Sequence, residues 1–508
     1  MSAHQAPYHF DSAIWKMQTD AAVLVALALH EREHTMTACG WVVRGQMTVF
    51  YLASGFWKIN SAFLDHRTSC APILFLALLE YVPAALTPLV LTRFLTLVAP
   101  WTTIIGEMAI GALVLGNQTM QCIGVALAVL LHFMIAITPF PNQIPTFGVY
   151  CLVRLYFALP ESWSTAQSEL AALPVRVGRN VTATVKVAGM VLGLAVAAQL
   201  NSNPAFAVNW AIVHYFAMTY IALYALYLEA TGADKVQHKP ARDIPPNAAS
   251  KSFRLAGWML LALTVFYSFG FQVLGLMEMG LANPFASLRM HGGSNHLLMP
   301  TGLLTQAASP GAELGGGVVR VESCTSDFIN ALYPGESTSN LSPRLRVMLT
   351  ESGHIGRQFA PSVRIALGAA IRKFMPANGD PFVPFTTTDY ELRRILAQAR
   401  GNSESFEIQY TRLAESLGDE TWRANGTGVT FLYEAKPGWS QCHRITASGA
   451  AKFGDQSADT RLKAPCTQEE LALQERPPPG GVLGKMLVNF GYPIIPELEH
   501  IRELPCFD

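Results

Sequence analysis

Nearly every long apolar run in the chain lies before residue 280, while Pro, Gly, Ser and charged residues crowd the remainder. Such runs must cross a bilayer or be buried by protein on all sides, and about 20 apolar residues in a helix match the bilayer's hydrocarbon core. At 51% hydrophobic and 14% charged residues over 508 positions, the chain is more apolar than an ordinary soluble enzyme. The expected fold class is a polytopic α-helical membrane domain of about seven to nine hydrophobic helices, followed by a smaller α+β extramembrane domain.

Candidate spans lie near 19–30, 41–60, 71–92, 94–116, 119–138, 143–159, 181–200, 206–229 and 255–279. Residues 1–40 read as an N-terminal segment with one short hydrophobic run, 41–280 as the transmembrane domain and 281–508 as the C-terminal domain. Arg176, Arg179 and Lys186 in one loop, and Lys235, Lys239, Arg242, Lys251 and Arg254 in another, point both loops to the cytoplasm. The span 255–279 then carries the C-terminal domain to the opposite, lumenal face of an endoplasmic reticulum or other organelle membrane. Cys324, Cys442, Cys466 and Cys506 in that domain suit two disulfides, and Asn340 and Asn425 open glycosylation sequons. A net charge of zero without a basic cluster excludes nucleic acid as a partner, and leaves the lipid bilayer.

In the C-terminal domain, "FEIQYTRL" and "GVTFLYEA" alternate like strands, whereas "DYELRRILAQAR" and "SVRIALGAAIRKFM" have helical spacing. The glycine-rich "GAELGGGVVRVES" reads as a turn before a strand. No phosphate-binding loop, dinucleotide fingerprint or serine elbow appears. His30-Glu31-Arg32-Glu33-His34 satisfies the zinc motif H-E-x-x-H. A third ligand at suitable spacing is missing, so the segment reads as a polar connection and no metal is expected.

Polar residues inside apolar runs are costly, on the order of 2.5–3.5 kcal/mol for a charge at a membrane's centre on insertion scales. Arg44, Gln46, Lys58, Glu80, Glu107, His132, Arg154 and His214 form this set. Alone, Arg44 and Lys58 read as boundary residues that snorkel to the interface, and Glu80 and Arg154 as a structural ion pair.

Taken together, "VVRGQMTVFYLASGFWKINSAFL" and "LHFMIAITPFPNQIPTFGVYCLVRLYFALPESW" resemble two helices of the HTTM (horizontally transferred transmembrane) family, which includes the vitamin K-dependent γ-glutamyl carboxylases. In the first, as in that family, an Arg-Gly-Gln opens an apolar helix, a Tyr follows and a Lys closes it; the second carries a His, then a Gln and a Gly, and ends near Pro-Glu-Ser-Trp. "NPFASLRMHGGSNHLLMP" sits where that family leaves the membrane. The resemblance implies Lys58 as the base toward a reduced quinone of the vitamin K hydroquinone type, His132 as a second catalytic group, and Arg44 and Gln46 as quinone-binding residues. An amine held in an apolar setting is easier to keep neutral, and a neutral amine takes a proton. In that family the deprotonated quinol reacts with oxygen and yields the base that prepares a peptide glutamate for carboxylation. With only 43 residues ahead of Arg44, the alternative is a non-catalytic HTTM-like scaffold or an accessory subunit among partner membrane subunits.

Overall fold

A computed structural model describes residues 11–29, 35–139, 251–274, 295–299, 318–327, 341–354, 385–412, 429–446 and 462–468, with single positions 151, 154, 155, 282, 286, 288, 329 and 471. The N-terminal part contains α1 (Asp11–Leu29), α2 (Thr35–Trp57), the single turn α3 (Ser61–Leu64), α4 (Cys70–Leu78), α5 (Leu89–Val114) and α6 (Gln118–Ile137). Helix α7 (Lys251–Val265) runs on through a π turn, Phe266–Gly270, into Phe271–Val273.

Helix α2 is the centre of this helical unit. Trp15 of α1 stacks edge-on against Phe50 at 4.6 Å, while Gln46 reaches the Gln18 carbonyl, so α1 and α2 are antiparallel. A Cβ on Gly55 would meet Met108 Cγ at 2.6 Å, and one on Gly111 would meet Leu52 Cγ at 2.9 Å. Two glycines thus let α2 and α5 approach more closely than side chains permit. Trp57 Nε1 donates to the Ser268 carbonyl at 2.8 Å, in the π turn where the regular helical bonding is shifted.

The expectation of seven to nine spanning helices is corrected here. Among the described residues two helices, Leu89–Val114 and Ser252–Val273, are long and apolar enough to cross a membrane. The apolar parts of α1 and α6 are shorter, Met17–Leu29 and Thr119–Ile135. The run at 71–92 is no span, because α4 stops after nine residues and the chain turns through two 3-10 segments, Leu79–Tyr81 and Ala84–Leu86, around Pro83. In α2, Arg44, Gln46 and Thr48 interrupt the apolar sequence. The runs at 143–159 (apart from positions 151, 154 and 155), 181–200 and 206–229 lie outside the described residues.

The C-terminal part is a six-stranded antiparallel sheet in the order β2-β1-β3-β4-β5-β6, with β1 Val318–Cys324, β2 Phe385–Thr388, β3 Phe406–Arg412, β4 Val429–Lys436, β5 Trp439–Thr446 and β6 Leu462–Pro465. Phe406, Ile408 and Tyr410 of β3 alternate inward with Glu407 and Gln409 outward. Their inner face packs Leu392, Ile395, Leu396 and Ala399 of α9 (Asp389–Gly401), which recur at helical spacing. A further helix, α8 (Pro343–Glu351), packs instead on α4.

Of the four cysteines expected to form two disulfides, Cys442 and Cys466 are bonded to each other, Cys324 is a buried thiol that forms no disulfide, and Cys506 lies outside the described residues. Burial pushes the Cys324 thiol up to about 12, which keeps it protonated and chemically quiet. Cys70, at the start of α4, is also disulfide-bonded. The Cys442–Cys466 bridge closes a loop of 24 residues. Replacing both cysteines by Ala is expected to cost about 3 kcal/mol of sheet stability, read from denaturant unfolding, because the bridge limits the unfolded chain. A cost below about 0.5 kcal/mol would exclude that account.

The sequons at Asn340 and Asn425, the helical pattern at 362–375 and the H-E-x-x-H segment lie outside the described residues.

Candidate functional site

Tyr51, Ser54 and Lys58 follow at spacings of three and four, which puts them on one face of α2. Lys58 is the first residue past the helix, where the last carbonyls lack intrahelical partners and the helix dipole favours a cation. Its Nζ donates to the Ser54 hydroxyl at 2.7 Å and to the Ser54 carbonyl at 3.3 Å. It also donates to both carboxylate oxygens of Glu107 on α5, at 2.9 and 3.1 Å. Lys58 is 3% exposed and Glu107 9%, so the pair is an ion pair taken out of water. One turn before Ser54, the Tyr51 hydroxyl shares a 2.6 Å hydrogen bond with Nε2 of His132 on α6.

These two pairs border one cavity of about 270 Å³ between α2, α4, α5 and α6. Its remaining wall is mainly apolar: Phe50, Phe63, Leu74, Phe75, Ile110, Leu131 and Ile135 are part of it. A Cβ built on Gly106, which also lines the cavity, meets nothing within 4 Å. The arrangement can hold an apolar body, orient oxygens against two polar points, and move a proton at Lys58, Glu107 or the Tyr51–His132 pair. As placed, the lysine donates all of its protons, so it acts as a base only if Glu107 first takes one of them.

The structure thus brings Lys58 and His132 to one cavity. Arg44 and Gln46 do not line it. Gln46 is buried on the side of α1, where its Nε2 donates to the Gln18 carbonyl and Thr264 Oγ1 of α7 donates to Gln18 Oε1. Arg44 is half-buried two turns before Tyr51. Glu80 and Arg154 are not partners: Glu80 accepts from the Ser342 hydroxyl, and the Arg154 guanidinium lies over the Trp15 ring at 5.7 Å. His214 lies outside the described residues. Glu107 was legible as a costly charge but not as the lysine's partner. The spacing of Tyr51, Ser54 and Lys58 was the overlooked signal.

The chain past Lys58 is locked from several directions. Buried Asn60 donates through Nδ2 to the Trp57 and Ala286 carbonyls at 2.9 and 2.7 Å and caps α3 by accepting from Phe63 N–H. It also forms an isolated antiparallel bridge with His296. The His296 ring donates from Nε2 to the Phe56 carbonyl at 2.9 Å and accepts at Nδ1 from Leu298 N–H, which fixes its neutral tautomer. It packs against Phe56 and Trp57 at 4.7 and 5.3 Å.

Among the described residues no group of three or more His, Cys, Asp or Glu is placed to hold a metal. No curated protein and no solved structure matches the chain. Residues 294–485, from the His296 strap through the whole sheet, match the family described as a domain of unknown function (DUF8388).

Proposed function

We propose that the helical unit is held in a lipid bilayer and that its cavity binds a hydroxylated, largely apolar ring of the reduced-quinone class, with Lys58 and Glu107 as the proton-moving pair. The observation that carries this reading is the pairing of Lys58 with Glu107 and of Tyr51 with His132 on one mainly apolar cavity. At about 270 Å³ the space suits a small ring system, at the low end of small-molecule sites. The bilayer is supported by exposed apolar stripes: Val90, Phe94, Leu97, Trp101 and Ile105 along α5, and Leu255, Trp258, Met259 and Leu263 along α7. Continuous stripes of this kind are unusual on a soluble monomer.

A reduced quinone, when bound, supplies the oxygen-dependent chemistry that the resemblance to the vitamin K-dependent carboxylases implies, ending in carboxylation of a peptide glutamate. The chain's own part is narrower. Tyr51 and His132 orient one ring oxygen, Glu107 receives a proton from Lys58, and the freed amine takes the proton of a ring hydroxyl.

Purified full-length protein is incubated with vitamin K hydroquinone, oxygen and carbon dioxide, and binding and epoxide formation are measured. The wild type is expected to turn over, and Lys58→Met to lose on the order of 10²- to 10⁴-fold in rate. Binding without turnover would leave the alternative of a non-catalytic membrane scaffold, which the full engagement of the lysine's protons by Ser54 and Glu107 favours. No binding at all would remove the site.

A further inference from the structure

Helix α4 has two working faces. Ala71, Leu74, Phe75 and Leu78 line the cavity, whereas Ile73, Leu76 and Ala77 pack with Leu345, Met348 and Leu349 of α8. The helix is only nine residues long and is joined on both sides by turns, at 65–69 and 79–88. Neither end continues into a longer helix, so its position depends on what grips it.

Apart from the disulfide at Cys70, the grip comes from the segment around α8, within the family-matched residues. At one end of α4, His354 Nε2 donates to the Ser69 carbonyl at 2.8 Å. Past the other end, Arg344 donates to the Val82 carbonyl at 2.7 Å and to the Thr87 hydroxyl at 3.2 Å, and its other nitrogen reaches the Glu80 carbonyl at 3.4 Å. The Ser342 hydroxyl closes on the Glu80 carboxylate while capping α8 through Leu345 N–H. Arg93 of α5 answers by donating to the Glu351 carbonyl at 3.2 Å.

We propose that α8 is a built-in regulator of the cavity: seated, it presses α4 against the bound ligand, and unseated, it lets the α4 wall move away and release it. This rests on the reading of the cavity as a ligand site. The extramembrane unit would then act on the cavity through packing and hydrogen bonds, with none of its described residues in the lining, in the manner of other two-state elements whose docking shifts a binding equilibrium.

The test uses the full-length protein in detergent and the environment-sensitive naphthalene dye prodan as probe. Gly106→Leu defines the signal, since a side chain there fills the cavity and should remove cavity-bound dye. Arg344→Gln is expected to raise the dye's dissociation rate about tenfold, the value of one or two lost hydrogen bonds. It should also speed amide exchange across 70–81 while exchange in the middle of α5 stays unchanged. Thr87→Val, which removes one tether and no charge, should move the dissociation rate in the same direction by about threefold and serves where Arg344→Gln does not fold. Wild-type dissociation rates in the variant that folds would overturn the regulator while leaving the ligand site. A wild type that binds no dye would remove both, since there would be no filled cavity to control.

Discussion

Replacing Lys58 by Ala is expected to destabilise the protein by on the order of 3–5 kcal/mol, because Glu107 then keeps a charge in a buried setting with no partner. Glu107→Ala should cost a similar amount for the mirror reason, leaving an ammonium with only Ser54 to receive it. The double substitution Lys58→Met with Glu107→Leu should recover most of the loss, since a buried ion pair is worth little more than apolar groups of like volume. Unfolding by urea in mild detergent, taken as a double-substitution cycle, measures the coupling. Single costs under about 1 kcal/mol would mean the pair is screened like a surface one. The cycle also separates stability from chemistry. A double variant that folds well yet binds no quinol shows that the polar pair is needed by the ligand and not by the fold.

Gly106→Leu is expected to abolish ligand binding while leaving the melting temperature equal to or above that of the wild type. The position lies inside α5, where replacing glycine by a better helix former gains up to about 0.8–1.0 kcal/mol, and nothing stands in the way of a Cβ. The leucine would occupy the space that the ligand needs. Gly55→Leu supplies the contrast, because there even the Cβ meets Met108 Cγ at 2.6 Å and the Ile104 carbonyl at 3.2 Å. That variant should force α2 from α5 and lower the melting temperature sharply. Ligand binding by Gly106→Leu equal to that of the wild type would mean that the ligand sits elsewhere.

Period and alternation made part of this molecule legible in advance. The strand patterns around 406–412 and 429–436 fall on β3 and β4, and the helical spacing of 389–400 on α9; β3 alternates buried with more exposed residues, and the apolar residues of α9 recur on one face, although Leu432 of β4 and Arg393 and Arg394 of α9 are buried as well. Lys58 and His132 stood out by being polar in apolar surroundings, and they do border one cavity. Apolar content misled where it was read as length. The run 71–92 is apolar throughout most of its course, yet Pro83 and Pro88 break it into a short helix and turns, and one face of that helix is covered by α8 instead of lipid. The partner of Lys58 was not legible, because Glu107 arrives from 49 residues away by the packing of Gly55 and Gly111. Arg44 and Gln46 share the helix of Lys58, but Gln46 points to α1 and Arg44 sits two turns from Tyr51.

The His296 strap bears on the order in which the protein is made. The bond from its ring to the Phe56 carbonyl joins positions 240 residues apart, and the bridge to Asn60 is nearly as long-range. During synthesis at about 5–20 residues per second, α2 would leave the ribosome some 10–50 seconds before the residue that finishes its end. Until then the helix end beside Lys58 has carbonyls still to be capped, and the aromatic faces of Phe56 and Trp57 await their imidazole. The Lys58 site is therefore a late product of biogenesis, completed only when the chain beyond α7 comes back to it.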